Sequence, residues 1–217
     1  MRINVSENKP NFSQRNNERD PHGACNVTSM VMALSYLGYE FPKGKYSQPE
    51  DNLHDHISNN PDCVKHFADF VSKNPWAAGI PPMQIHDILS WCTNHWIGKQ
   101  ATSFSINRPI PTILAELKNG RPIVLSGDFP FVTSKGVNTT LGHIVVLVGA
   151  EWNDGNSGNP DRIIIDDPYG NTLNNFQGSG NDVVLSWDQF IKWFKPHHST
   201  MIKWGHFFKK SMEVENV

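Results

Sequence analysis

An α+β fold, with helices in the first half and an antiparallel sheet in the second, is the class this sequence predicts, and three observations predict it. Between Cys25 and Lys118 apolar residues recur at spacings of three and four, the helical period. From Pro122 onward the pattern changes to β-branched runs bounded by Gly, Asn and Pro, as expected of strands. Neither an internal repeat nor a low-complexity linker divides the 217 residues, so 1–217 is expected to be a single domain.

Residues 1–23 are polar and rich in Asn, Arg and Glu, and read as an extended N-terminal arm ending in the tight Pro21-His22-Gly23 turn. The segment CNVTSMVMALSYLG follows as a helix on Val27, Met30, Val31, Leu34 and Leu37, closed by Gly38, which places Cys25 at a helix N-terminus. Residues 39–60 read as irregular. Further helices are expected over Asp62 to Lys73, on Val64, Phe67, Phe70 and Val71, and over Pro82 to His95, on Ile85, Ile88, Leu89 and Cys92. A short one, Pro111 to Lys118, stops at Asn119-Gly120 and feeds a strand from Pro122 to Gly127. After a loop over 133–140, GHIVVLVGAEW is apolar enough to be a strand covered on both faces. The loop NDGNSGNP then joins it to RIIIDDPYG as an antiparallel hairpin. Ser186 and Gln189 form a capping-box pattern for a helix through Phe194, and 200–208 reads as the last strand.

Composition narrows the function. Lys and Arg number 19 against 21 Asp and Glu, a net charge of -2, which gives no electrostatic reason to expect nucleic acid. No run approaches the length of a membrane span, so no membrane insertion is expected, and a monomer is. The polar N-terminus lacks the apolar stretch of a secretory signal, so the expected location is cytoplasmic when made, with any release to a cell wall needing another route. Cys25, Cys63 and Cys92 are an odd number without a CxxC spacing, which predicts neither a disulfide framework nor a zinc ribbon. Cys63 and Cys92, on helical stripes, read as structural.

Cys25 carries the chemistry. Free N–H groups and the positive end of the dipole at a helix start stabilise a thiolate, and Gly23 and Ala24 leave room beside it. Taken alone, it could equally be a small buried hydrophobe. His143 and the Asp166-Asp167 pair alter that balance. A hairpin symmetric about residue 156 sets His143 opposite Tyr169 with Asp167 on the same face; a slip of one residue would present Asp166 instead. Either way a carboxylate stands beside a histidine, able to fix its tautomer and stabilise imidazolium.

The segments GACNVTSMVMALSYLG, GHIVVLVGAEW and IIIDDPYG resemble the Cys, His and Asp-Pro motifs of the C39-like cysteine peptidases, a branch of the papain-like superfamily. The resemblance implies a papain-like fold with Cys25, His143 and Asp167 as triad. It also implies an upstream glutamine as oxyanion donor, for which Gln14 is the only candidate, with the Cys25 N–H as the second donor. The implied reaction is attack on an amide carbonyl, a thioester and its hydrolysis, without cofactor or metal. Exporter members of the family are joined to transporters, and this chain shows no such segment. It resembles the stand-alone bacterial and phage members, for which a peptide or peptidoglycan stem peptide is the expected substrate. The same machinery serves amidases, deamidases and transamidases, and a non-catalytic binding protein is the third reading.

Metal is not expected elsewhere. The loop over 153–161, with Asp154, Asn156 and Asp161, departs from the calcium-loop pattern. His54-Asp55-His56 and His197-His198 lack a third ligand nearby in sequence and read as solvated. Trp76, Trp91 and Trp96 are assigned no role.

Overall fold

A computed structural model describes residues 1–153, 158–194 and 201–213. Its strands are β1 (Arg2–Asn4), β2 (Thr102–Pro109), β3 (Ile123–Val132), β4 (Asn138–Glu151), β5 (Arg162–Asp166), β6 (Val183–Ser186) and β7 (Met201–Phe208). The helices are α1 (Cys25–Tyr36), α2 (Pro49–Asn59), α3 (Pro61–Lys73), α4 (His86–Ile97), α5 (Ile110–Lys118) and α6 (Trp187–Phe194). The strands form one antiparallel sheet in the order β2-β7-β3-β4-β5-β6. β1 pairs with the end of β4.

Alternation along the strands sends side chains to two separate cores. Val124, Val146, Val148 and Ile164 pack with Met30, Leu34, Leu53, Ile88 and Leu89 of α1, α2 and α4. Ile123, Leu125, Val145, Leu147 and Ile165 pack on the opposite face with Ile113 and Leu117 of α5 and Phe190 and Phe194 of α6. The sheet is therefore the middle of three layers, which corrects the expected two-part arrangement of N-terminal helices on a C-terminal sheet. The nearly continuous apolar run of β4 follows from its burial on both faces.

The 1–23 arm is not uniformly extended: it supplies β1 and a 3-10 turn at Gln14–Asn16. β1 passes so close to β4 that a Cβ on Gly149 would lie 2.2 Å from the Ile3 carbonyl oxygen, so only glycine fits there. Within 39–60 lies α2, which the sequence reading missed. Its apolar contribution is only Leu53 and Ile57, but Pro49 opens it, and buried Asp51 accepts the backbone N–H groups of Glu18 and Arg19 at 2.9 and 3.1 Å. Arg19 also pairs with Asp55, so α2 fastens the arm that leads to Cys25. The His54-Asp55-His56 segment is accordingly helical, not a loop.

Other boundaries moved for local reasons. The helix expected from Pro82 begins at His86, after a separate 3-10 turn over Pro82–Gln84. α3 buries Cys63 and leaves Val64 exposed. The edge strand β2 and the short β6 were not anticipated, because polar TSFSINRP and four-residue VVLS carry weak strand patterns. β4 starts at Asn138, so the loop before it is shorter than expected and His143 lies inside the strand. The capping box is present: Ser186 N–H donates to Gln189 Oε1 at 2.8 Å, and Gln189 N–H to Ser186 Oγ at 3.1 Å.

Glu50, buried at the start of α2, yields the first testable outcome. Burial, with Asp51 beside it, pushes its carboxyl up to about 7. Because the folded value exceeds the unfolded one, the fold disfavours the carboxylate, and stability is lost as pH rises from the ordinary range through about 7. Glu50→Gln is expected to be neutral at about pH 4 and to stabilise by about 1–3 kcal/mol at about pH 8. Thermal unfolding of both chains across that range measures it; an equal effect at both ends would refute the assignment.

Candidate active site

The turn before α1 is built by one side chain. Asp20 Oδ1 accepts the N–H groups of His22 and Gly23 at 3.3 and 2.8 Å, and Ala24 N–H donates to the Asp20 carbonyl at 3.1 Å. Ala24 is the N-cap, so Cys25 is the first helical residue, partly exposed, where backbone N–H groups lack intrahelical acceptors. Asn26 Nδ2 donates to the Met83 carbonyl at 2.6 Å, and Ser29 Oγ donates to the Ile144 carbonyl at 3.2 Å. The first bond ties the thiol-bearing end of α1 to the 3-10 turn before α4, and the second ties it to the strand that carries His143.

His143 sits in β4 opposite Gly127 of β3, buried, with the rings of Tyr169, Phe176 and Phe129 at 5.9, 5.7 and 6.1 Å. Its Nε2–H donates to Asp167 Oδ1 at 2.7 Å, which leaves Nδ1 for its other hydrogen-bond partner, the Cys25 thiol. Burial opposes charge on this imidazole, but the Asp167 carboxylate and the Cys25 contact outweigh it and raise its pKa to about 9. Asp167 is held in turn: Oδ1 also accepts Tyr169 N–H at 2.8 Å, and its own N–H donates to the Gly180 carbonyl at 2.8 Å. Gly180 runs so close that a Cβ there would lie 2.0 Å from the Asp167 carbonyl oxygen.

Asp166 faces the other way. Its Oδ2 accepts the Tyr36 hydroxyl at 2.7 Å and its Oδ1 the Asp182 N–H at 2.7 Å, so it anchors the far end of α1 to the sheet, and its burial raises its pKa. The β4–β5 register explains the division. Val146 pairs with Asp166 and Leu147 with Ile165, the register of a turn centred on residue 156. A bulge between Leu147 and Gly149 then shifts the pairing by one residue, on the side away from the site.

Cys25 and His143 open into a cavity of about 300 Å³ whose walls include Gly23, Asn26, Ser126, Gly142, His86 and Trp204. A larger depression of about 520 Å³ beside Arg121 and Glu213 contains none of Cys25, His143 and Asp167. The chain matches the model of the Peptidase C39-like family over residues 6–192.

The chain belongs to the Peptidase C39-like family. A crystal structure from Bacillus anthracis, described as that of a candidate C39-like peptidase, resembles it with a TM-score of 0.54. The likeness covers 97% of this chain and 99% of that one at 17% identity, and bears on the fold alone. No protein of curated function matches the sequence.

In this C39-like chain Gln14 is buried beside Pro168, the neighbour of Asp167, and is not among the residues that line the cavity. Its backbone N–H donates to the Pro168 carbonyl at 2.9 Å and its Nε2 to the Pro21 carbonyl at 3.3 Å. Sequence reasoning missed one wall altogether. His86 lies against Trp204, with ring centres 3.9 Å apart and planes tilted by 37°, and its Nδ1 lies 3.0 Å from Nε2 of buried His206, whose Nδ1 meets Ser90 Oγ at 2.9 Å. Burial holds His86 down at about 4 and keeps His206 well below its ordinary range, so this wall of the C39-like site is neutral at physiological pH. Trp204 and His206 stand at alternate positions of β7, a weak signal hidden among many aromatic residues. Of the 153–161 loop, where metal was not expected, Asp154 and Asn156 lie outside the described residues, as do His197 and His198, while Asp161 Oδ2 accepts Asn153 N–H at 2.7 Å.

Proposed function

We propose that this chain is a cysteine peptidase of papain-like layout in which Cys25 is the nucleophile, His143 the general base and acid, and Asp167 the group that orients the imidazole. One observation carries the reading: a buried imidazole held between a thiol at a helix start and a buried carboxylate, beside an open cavity. Proton transfer from the thiol to His143 gives a thiolate–imidazolium pair. The thiolate attacks the carbonyl carbon, and the imidazolium protonates the leaving amine as the C–N bond breaks. Water, deprotonated by His143, then attacks the thioester and releases Cys25 and the acid product. The neutral wall of His86 and Trp204 adds no competing charge to this exchange.

The first-turn N–H of Cys25 is one oxyanion donor. Gln14 is the second in this reading, which requires its amide to turn from Pro21 toward the carbonyl oxygen. Gly23, Gly142 and Ser126 put no bulky side chain beside the thiol, so a peptide backbone can approach Cys25 closely. Bacterial wall stem peptides, the substrate the family resemblance implies, are the class to test first.

The test is product mass after incubating purified peptidoglycan and short alanine- and glycine-containing peptides with the chain and with its Cys25→Ala variant. One water added per cleaved bond, dependent on Cys25, is expected. A deamidated or crosslinked product would replace the peptidase reading with an amidase or transamidase. No Cys25-dependent product from any of them would overturn it.

A further inference from the structure

Away from the cavity, three helices bring together side chains that the sequence scatters. His56 lies on α2, Cys63 on α3 and His95 on α4. One ligand atom from each, two imidazole nitrogens and the Cys63 sulfur, lies within 4.8 Å of the other two. The His56 Nε2 to His95 Nδ1 separation is 3.0 Å, close to the roughly 3.3 Å expected between two nitrogens on a tetrahedral zinc ion with bonds of about 2.0 Å. A histidine pair alone would account for that contact, but not for the thiol beneath it.

We propose that His56 Nε2, Cys63 Sγ and His95 Nδ1 form a binding site for a zinc-class divalent transition ion that joins α2, α3 and α4. The donor set is the one such ions favour, a thiolate with two imidazoles. His95 presents its remaining nitrogen to Asp62, with Nε2 and Oδ2 3.5 Å apart, the carboxylate–histidine arrangement that orients a metal-bound imidazole. Cys63 is fully buried while His95 is exposed, so the ion would enter from solvent and close the gap over the thiol. Binding replaces the Cys63 S–H bond with a metal–sulfur bond and releases that proton to solvent. A water molecule completes four-coordination. His95 and the cleft residue His86 are at opposite ends of α4, about 13 Å apart along the axis. The ion's role is accordingly structural and independent of the peptidase reading.

The test uses the full chain with Cys25→Ser, so that the other thiol–imidazole pair cannot hold the ion. After equilibration with zinc and desalting, elemental analysis is expected to find one zinc per chain, and cobalt is expected to give a thiolate charge-transfer absorption. His95→Asn, at an exposed position, is expected to weaken zinc at least tenfold, and Cys63→Ala to remove the cobalt band. Asp62→Asn is expected to keep the band while weakening affinity about tenfold. Zinc is also expected to raise the melting temperature of the parent and not of His95→Asn. No retained zinc, or equal retention by His95→Asn and Cys63→Ala, would overturn the proposal.

Discussion

Cys25→Ala is expected to lower peptide hydrolysis by about 10⁴-fold or more, the scale on which removing a nucleophile acts when orienting and oxyanion groups remain. The supporting chemistry is visible without a substrate. Iodoacetamide at about pH 6 is expected to modify Cys25 well ahead of Cys63 and Cys92, because Cys25 is partly exposed at a helix start beside the His143 imidazolium and the other two thiols are buried. His143→Ala removes the proton acceptor and is expected to erase that preference. Rates read by peptide mass spectrometry on the two chains decide it: equal labelling of all three thiols in the parent would leave the site without a nucleophile.

The two adjacent aspartates are expected to separate catalysis from stability. Asp167→Asn keeps the shape but removes the charge that holds His143 up at about 9, and kcat/KM is expected to fall by about 10²–10⁴-fold. In the parent, activity is expected to decline as pH rises through about 9, where the imidazolium loses its proton. In Asp167→Asn that limb is expected to move toward acid by at least about one pH unit, since burial then acts unopposed. The sign for stability follows from the same shift. The folded pKa of His143 lies above its unfolded value, so the Asp167 pairing contributes stability fully present below about 6.5 and lost as pH rises through about 9. Asp166→Ala should do the opposite. It strands the Tyr36 hydroxyl and the Asp182 N–H, costing about 1–3 kcal/mol for each, while kcat/KM of the folded fraction stays within about threefold. A large kcat/KM loss in Asp166→Ala, or none in Asp167→Asn, would reverse the assignment of the pair.

Legibility in the sequence followed the range of the interactions. α1 and its N-terminal Cys25 were readable because helical periodicity and a glycine stop are local patterns. α6 was readable because its cap is a reciprocal bond between residues three apart. The β4–β5 register was readable to within one residue because the length of a hairpin loop limits the pairing, and that one residue separates Asp166 from Asp167. α2 was not readable, because its apolar stripe is two residues long and its stability rests on Asp51 and Asp55 bonding to the arm more than thirty positions earlier.

By itself the sequence determined the mixed class of the fold, the thiol at a helix start and a histidine–carboxylate hairpin, each encoded within a few dozen residues by periodicity or turn length. Only the tertiary structure decided that α5 and α6 cover the second face of the sheet, and that the thiol of α1 meets the imidazole of β4. It also decided that His86 and Trp204 wall the cleft and that His56, Cys63 and His95 converge. Those juxtapositions arise from packing between elements far apart in the chain. They follow from which apolar faces are buried against one another, and no local pattern records that choice.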